Sequence, residues 1–158
     1  HDGCHFSYEG YKEFAKRILP LVSRDLYEEK NSAIITSPQL MSAYYITKKE
    51  IILKFDQPID IDDYYKLKET KHLMKNQFFF SRTQEKPSIY GVINRLEVKN
   101  DQIIISLNTS QKYSSISYIP NKYYLNTKDI YNGPWIIGLT NKIGALTFSN
   151  VKINNHEK

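Results

Sequence analysis

The chain has 158 residues, 41% of them hydrophobic, and carries 22 Lys and Arg against 17 Asp and Glu, a formal charge of +5. That is room for one ordinary domain with a short appendage, and no apolar run is long enough to cross a bilayer as a helix. Cys4 is the single cysteine, so no intrachain disulfide forms, and the basic charge comes from scattered lysines with only four arginines. Neither an RNA-binding sheet signature nor a zinc-ligand spacing occurs, so the sequence predicts no nucleic-acid partner, no membrane partner, no metal and no cofactor.

The head of the chain reads His1-Asp2-Gly3-Cys4-His5. An Asp three residues before a His, on a tight turn into a helix, is the layout of an acid–histidine catalytic pair. A neutral His takes a proton from a weak nucleophile and returns it to the leaving group, while a carboxylate on Nδ1–H fixes its tautomer. Gly3 permits the turn. The alternative is that Asp2 merely caps a turn and His5 is an ordinary surface histidine. Ser7 is the expected N-cap of the helix that follows, with Glu9 in its first turn. Tyr11, Phe14, Ala15, Ile18 and Val22 recur at helical spacing, with Lys12, Glu13, Lys16 and Arg17 opposite. This predicts an amphipathic helix packing on a sheet, with a kink or stop at Pro20.

Polar residues at 28–32 and Thr36-Ser37-Pro38 mark a boundary, after which the hydrophobic period shifts to two. Strands are predicted at 40–46 and 50–56, joined through Lys48-Lys49, and at 78–80. A hairpin around Asn100-Asp101 joins 92–99 to 102–107, and two more strands fall at 115–119 and 143–153. The stretch 60–75 reads as a short helix or a long polar loop. The expected fold is mainly β: an N-terminal helix, the tail of an α/β hydrolase domain by the resemblance below, followed by an antiparallel β-sandwich. The division is 1–30 and 36–154.

Between residues 119 and 143 runs a long connection bearing Tyr123, Tyr124, Tyr131 and Trp135. Exposed rings there could stack on a sugar, with nearby Asn and Lys taking its hydroxyls. The competing reading has them fill a core or a domain interface. Trp135 is expected to be buried, because Ile136 and Ile137 follow it and Gly144-Ala145-Leu146 offers a partner strand. Asp60, Asp62 and Asp63 lack the Gly and closing Glu of a calcium loop and read as a solvated turn. His72 and His156 read as solvated side chains.

The run from Asp2 to Tyr27, DGCHFSYEGYKEFAKRILPLVSRDLY, resembles the last block of the SGNH (GDSL-like) hydrolases, and within them the sialate O-acetylesterase-like carbohydrate esterases. Asp2 and His5 match the closing Asp-x-x-His, and Gly10-Tyr11 and Ala15-Arg17-Ile18 match the helix after it. Residues 116–153 resemble the carboxy-terminal module attached to some bacterial members. The resemblance implies that His5 is general base and then acid, that Asp2 orients it, and that an acetylated carbohydrate is the substrate. It also implies that the serine and the oxyanion-hole Gly and Asn lie upstream of this sequence. Ser7 and Ser23 fall on the wrong side of the motif to replace that serine. The chain by itself is therefore expected to be inactive, and its parent to be bacterial and periplasmic or secreted. The alternative is a non-catalytic carbohydrate-binding or scaffolding sandwich.

Overall fold

Alternation sets the centre of the molecule. In β2 (Glu50–Phe55), Ile51, Leu53 and Phe55 are buried; in β6 (Gln102–Leu107), Ile103, Ile105 and Leu107 are buried. The antiparallel register pairs Ile51 with Ile105 and Leu53 with Ile103. A one-residue slip would turn both rows to the opposite face, so burial fixes the register. The computed structural model describes residues 7–28, 30, 34–62, 73–83, 91–120 and 133–155.

Around this pair the remaining strands are β1 (Leu40–Thr47), β3 (Ile59–Asp62), β4 (Phe78–Ser81), β5 (Ile93–Lys99), β7 (Ser115–Tyr118), β8 (Trp135–Gly138) and β9 (Phe148–Asn155). Seven of the nine described strands form one sheet in the order β4-β7-β9-β1-β2-β6-β5, and β3 pairs with β8 in a small second sheet. The larger sheet is curled and mixed, and with the small sheet it makes a sandwich-like, mainly β fold after one N-terminal helix. Ile59 of β3 and Ile136 of β8 join Phe55, Phe78, Phe80, Ile105 and Tyr118 in a single core.

The tight turns follow their sequence signals. Asn100, between β5 and β6, takes φ 54°, a left-handed conformation that Asn tolerates better than most residues. Lys48-Lys49 turns β1 into β2. Tyr45 ties β1 to the approach to β7: the Tyr113 N–H donates to its Oη (2.7 Å), and that Oη donates to the Tyr113 carbonyl (3.3 Å).

Three expectations change. The β1–β9 pair is parallel, with Ala43 opposite Ile153, so the sandwich is not wholly antiparallel. The first part of 60–75 is strand, not loop or helix: Ile59 and Ile61 alternate with Asp60 and Asp62 in β3, and a short 3₁₀ turn follows at Met74–Gln77. The expected strand at 143–153 is two pieces. Residues 143–145 bond to β8, through the Ala145 N–H to the Ile136 carbonyl (2.7 Å) and the Gly138 N–H to the Ile143 carbonyl (2.9 Å), and β9 begins only at Phe148.

The chain divides into two compact units, His1–Thr36 and Ser37–Lys158. The first holds α1 (Tyr8–Tyr27), capped as expected: the Gly10 N–H donates to Ser7 Oγ at 3.2 Å. The helix runs through Pro20 instead of stopping there, and ends at Glu28, which takes a left-handed cap and donates its N–H to the Ser23 carbonyl. Pro20 removes one N–H but already has a helical φ. No residue of α1 is buried, so the carbonyl that loses its partner can bond water.

Candidate functional site

Of the residues singled out in the sequence, Asp2 and His5 lie outside the described residues, as do Tyr123, Tyr124 and Tyr131. His72, His156 and Asp63 lie outside them too. Trp135 is described. It opens β8 opposite Asp62 of β3, and it is largely but not completely buried. The reason is its place at the open end of the ladder: Ile136 takes the core face, while Trp135 is the last rung. Its indole packs over Gly133, where an added Cβ would come within 3.2 Å of Trp135 Cδ1. Gly133 also sits at φ +111°, so a side chain there would be both strained and crowded.

Behind Trp135 the next residue enters a sealed polar contact. The Ile136 N–H donates to Tyr118 Oη at 3.1 Å. Tyr118 is fully buried and lies against Phe78 and Phe148, with ring centroids at 5.4 and 5.8 Å. Burial pushes its phenol up to about 12, because the phenolate would be stranded without water, and the Ile136 N–H offsets only part of that cost. The Tyr45 phenol is raised for the same reason, with the Tyr113 backbone acting against it. Both groups are neutral structural acceptors across the neutral range, not acids or bases poised for catalysis.

Further along β8, Gly138 has no room for a Cβ, because the Asn141 carboxamide and Gln57 Oε1 occupy that space. Asn141 Nδ2 donates to Gln57 Oε1 (3.4 Å), and the Ile143 N–H donates to Asn141 Oδ1 (2.9 Å). This network holds the turn after β8. Asp60 is likewise engaged locally, its Oδ1 accepting from the Ile61 N–H at 2.8 Å. Among the described residues no group of three His, Cys, Asp or Glu could hold a metal ion. Ser115 Oγ is buried with no hydrogen-bond partner among them.

Sequence reasoning did not anticipate an open cleft of about 390 Å³ beside the 3₁₀ turn, lined by polar and apolar groups alike. Leu73, Lys75 and Asn76 form one wall; Ile93, Asn94 and Asn108 form the other. These residues share no common motif, being spread over 36 positions of chain from 73 to 108. The curl of the sheet brings them together: the turn leads into β4 at one edge, and β5 is the opposite edge strand packed against that turn.

No family model and no curated protein matches the sequence. Among solved structures the chain is similar to a carbohydrate acetylesterase from Xanthomonas citri, with a TM-score of 0.57 and 10% identity over 87% of this chain. The likeness is one of fold. This chain spans 27% of that protein's length.

Proposed function

We propose that this chain is the carboxy-terminal portion of a serine carbohydrate esterase that removes acetyl groups from sugar hydroxyls, sialate O-acetylesterase-like in kind. The extent of the fold likeness carries the reading. It covers 87% of 158 residues, about 137, whereas the unit Ser37–Lys158 holds only 122. The likeness to the Xanthomonas acetylesterase therefore reaches into the head unit, where the Asp-x-x-His motif and its capped helix stand. A sandwich module of independent origin would be expected to match alone.

In this reading Asp2 and His5 serve a serine supplied by the preceding part of the parent. His5 takes the serine proton as the hydroxyl attacks the acetyl carbonyl, and Asp2 stabilises the imidazolium. The C–O bond to the sugar breaks, His5 returns the proton to the sugar oxygen, and acetyl remains on the serine. Water, deprotonated by His5, then releases acetate. The exposed apolar stripe of α1, including Tyr11, Phe14 and Leu19, is the surface that packs on the parent's sheet.

Two measurements test this. The 158-residue chain should show no turnover of an activated acetyl ester, since a base without nucleophile or oxyanion hole cannot do the covalent step. In the parent, His5→Ala should lower kcat on the order of 10³-fold or more. A near-normal rate removes Asp2 and His5 from the active site.

The second reading, a non-catalytic carbohydrate-binding module, is favoured by one observation: Trp135 is not completely buried, so part of the residue is open to solvent. Under it Trp135, with Tyr123, Tyr124 and Tyr131, contacts sugar, and Trp135→Ala abolishes binding while leaving melting unchanged.

A further inference from the structure

We infer that the cleft between the 3₁₀ turn and β5 is a sugar-binding site, in which carboxamides and one ammonium group take the hydroxyls of a pyranose. The cleft's chemistry argues for it. Asn76, Asn94 and Asn108 each carry a carbonyl acceptor and an amide donor, the combination that matches hydroxyls, which are themselves both. Leu73 is 41% exposed and offers an apolar patch for the C–H face of a ring. The volume, about 390 Å³, lies within the range of small-ligand pockets, about 300–1,000 Å³.

The walls are held before any ligand arrives. Asn108 Nδ2 donates to the Gly91 carbonyl (3.2 Å) and the Asn108 N–H donates to the Val92 carbonyl (2.9 Å), so the lip on that side is fixed and Oδ1 remains as an acceptor. On the other wall the Asn76 N–H closes the 3₁₀ turn onto the Leu73 carbonyl at 2.9 Å. Gln77 Nε2 donates to that same carbonyl (3.4 Å). The side chains of Lys75 and Asn94 have no hydrogen-bond or ion-pair partner among the described residues. Both stand ready at no cost in broken contacts. Gly91, at φ +74°, has nothing within 4 Å of where a Cβ would be, so the rim there is open.

Other ligand classes fit less well. Among the described residues no carboxylate, imidazole or thiol lines the cleft, so these residues offer a cation nothing. The described residues give the cleft one cation and no aromatic platform, neither the charge nor the stacking surface that a nucleic-acid strand uses. The inference stands on these residues and not on Asp2 and His5. It adds to the esterase reading a place where a glycan is held by other residues.

The test is a titration of the ¹⁵N-labelled 158-residue chain with xylose, galactose, N-acetylglucosamine and glucuronic acid, followed by amide chemical shifts. For at least one sugar the shifts should concentrate at 73–76, 91–94 and 108. Lys75→Ala and Asn94→Ala should each weaken binding about 3–10-fold, the loss of one hydrogen bond. Thermal melting should not move, because neither side chain is buried. Shifts centred on Trp135, the absence of shifts with all four sugars, or binding that survives the double variant each overturn the inference. The wild-type map decides the matter even if a variant folds poorly. Esterase turnover by the parent is a separate readout. An active parent whose carboxy-terminal unit shows no cleft shifts keeps the esterase reading and loses this one.

Discussion

The helix α1 and the strand pair β2–β6 are opposite solutions to the same problem. The helix satisfies its backbone locally, through the Ser7 cap, the Glu28 cap and surface pairs such as Arg17 with Glu13 at 3.1 Å. It buries no residue, and Phe14 remains 50% exposed. The ladder that joins β2 to β6 links residues distant in sequence, such as Ile51 with Ile105, and Ile51, Leu53, Ile103 and Ile105 are sealed completely. Local order without burial is weakly held, because an isolated helix of this length is marginal in water and surface ion pairs add little. Non-local order with burial is strongly held.

The sharpest way to break that comparison is hydrogen exchange on the 158-residue chain. Amides of β2 and β6 should exchange on the order of 10³-fold or more slowly than those of α1, relative to their intrinsic rates. Equal protection would mean that the helix unfolds only with the sheet, and the contrast would be wrong.

Next in size is core deletion. Phe80 is fully buried and lies against Tyr113, ring centroids 5.1 Å apart. Phe80→Ala should cost about 3–5 kcal/mol in denaturant melts. The same change at Phe14 should be within about 0.5 kcal/mol, as for a surface position. A comparable loss at both sites would assign Phe14 a buried role.

The alkaline limb of stability comes third. Tyr118 keeps its proton in the fold up to about 12, while in the unfolded chain it ionises near 10.0. Between these values the native state holds a proton that the unfolded state has lost, so stability falls as pH rises through that window. Below it the contribution is complete. Two units correspond to on the order of 2–3 kcal/mol. Tyr118→Phe should be less stable at neutral pH, because the buried Ile136 N–H loses its acceptor. It should then lose less on going alkaline, and parallel pH profiles for the two proteins would show that Tyr118 is not the titrating group.

The smallest effect belongs to the helix. Ser7→Ala removes the acceptor for the Gly10 N–H and should lower the helical circular-dichroism signal, the cap being worth about 0.5–2 kcal/mol. Melting of the sheet, followed by near-ultraviolet signal, should not move. A shift in that transition would couple two regions that the comparison keeps separate.

What could be read in advance tracks the same division. Strands whose apolar residues alternate, such as 51-53-55 and 103-105-107, were legible because one buried face leaves a period of two. The cap at Ser7 was legible because it is local. β3 was obscured because its Asp60 and Asp62 look like a turn when read without the isoleucines between them. β8 was obscured because Trp-Ile-Ile-Gly lacks alternation and sits within an aromatic-rich connection. The parallel pairing of β1 with β9 has no trace in either segment, since strand direction depends on the route of the whole chain. The Asp2–His5 reading rests on spacing and on the resemblance of the residues around it, and both residues lie outside the described ones. The cleft asparagines share no spacing, and only the curl of the sheet assembles them.

The position of β9 carries a consequence of another sort. It follows every other strand of the described chain, yet it lies between β7 and β1. It is therefore a keystone: without it the β4–β7 ribbon and the β1-β2-β6-β5 strands share no strand ladder, only side-chain bonds such as those of Tyr45 with Tyr113. During vectorial synthesis the sheet cannot close until residues 148–155 have left the ribosome, so the earlier strands wait with two vacant edges. The same vacancy makes a slot. A chain ending before Phe148 should accept an eight-residue peptide of the β9 sequence in trans, by strand addition, as a split-protein pair does.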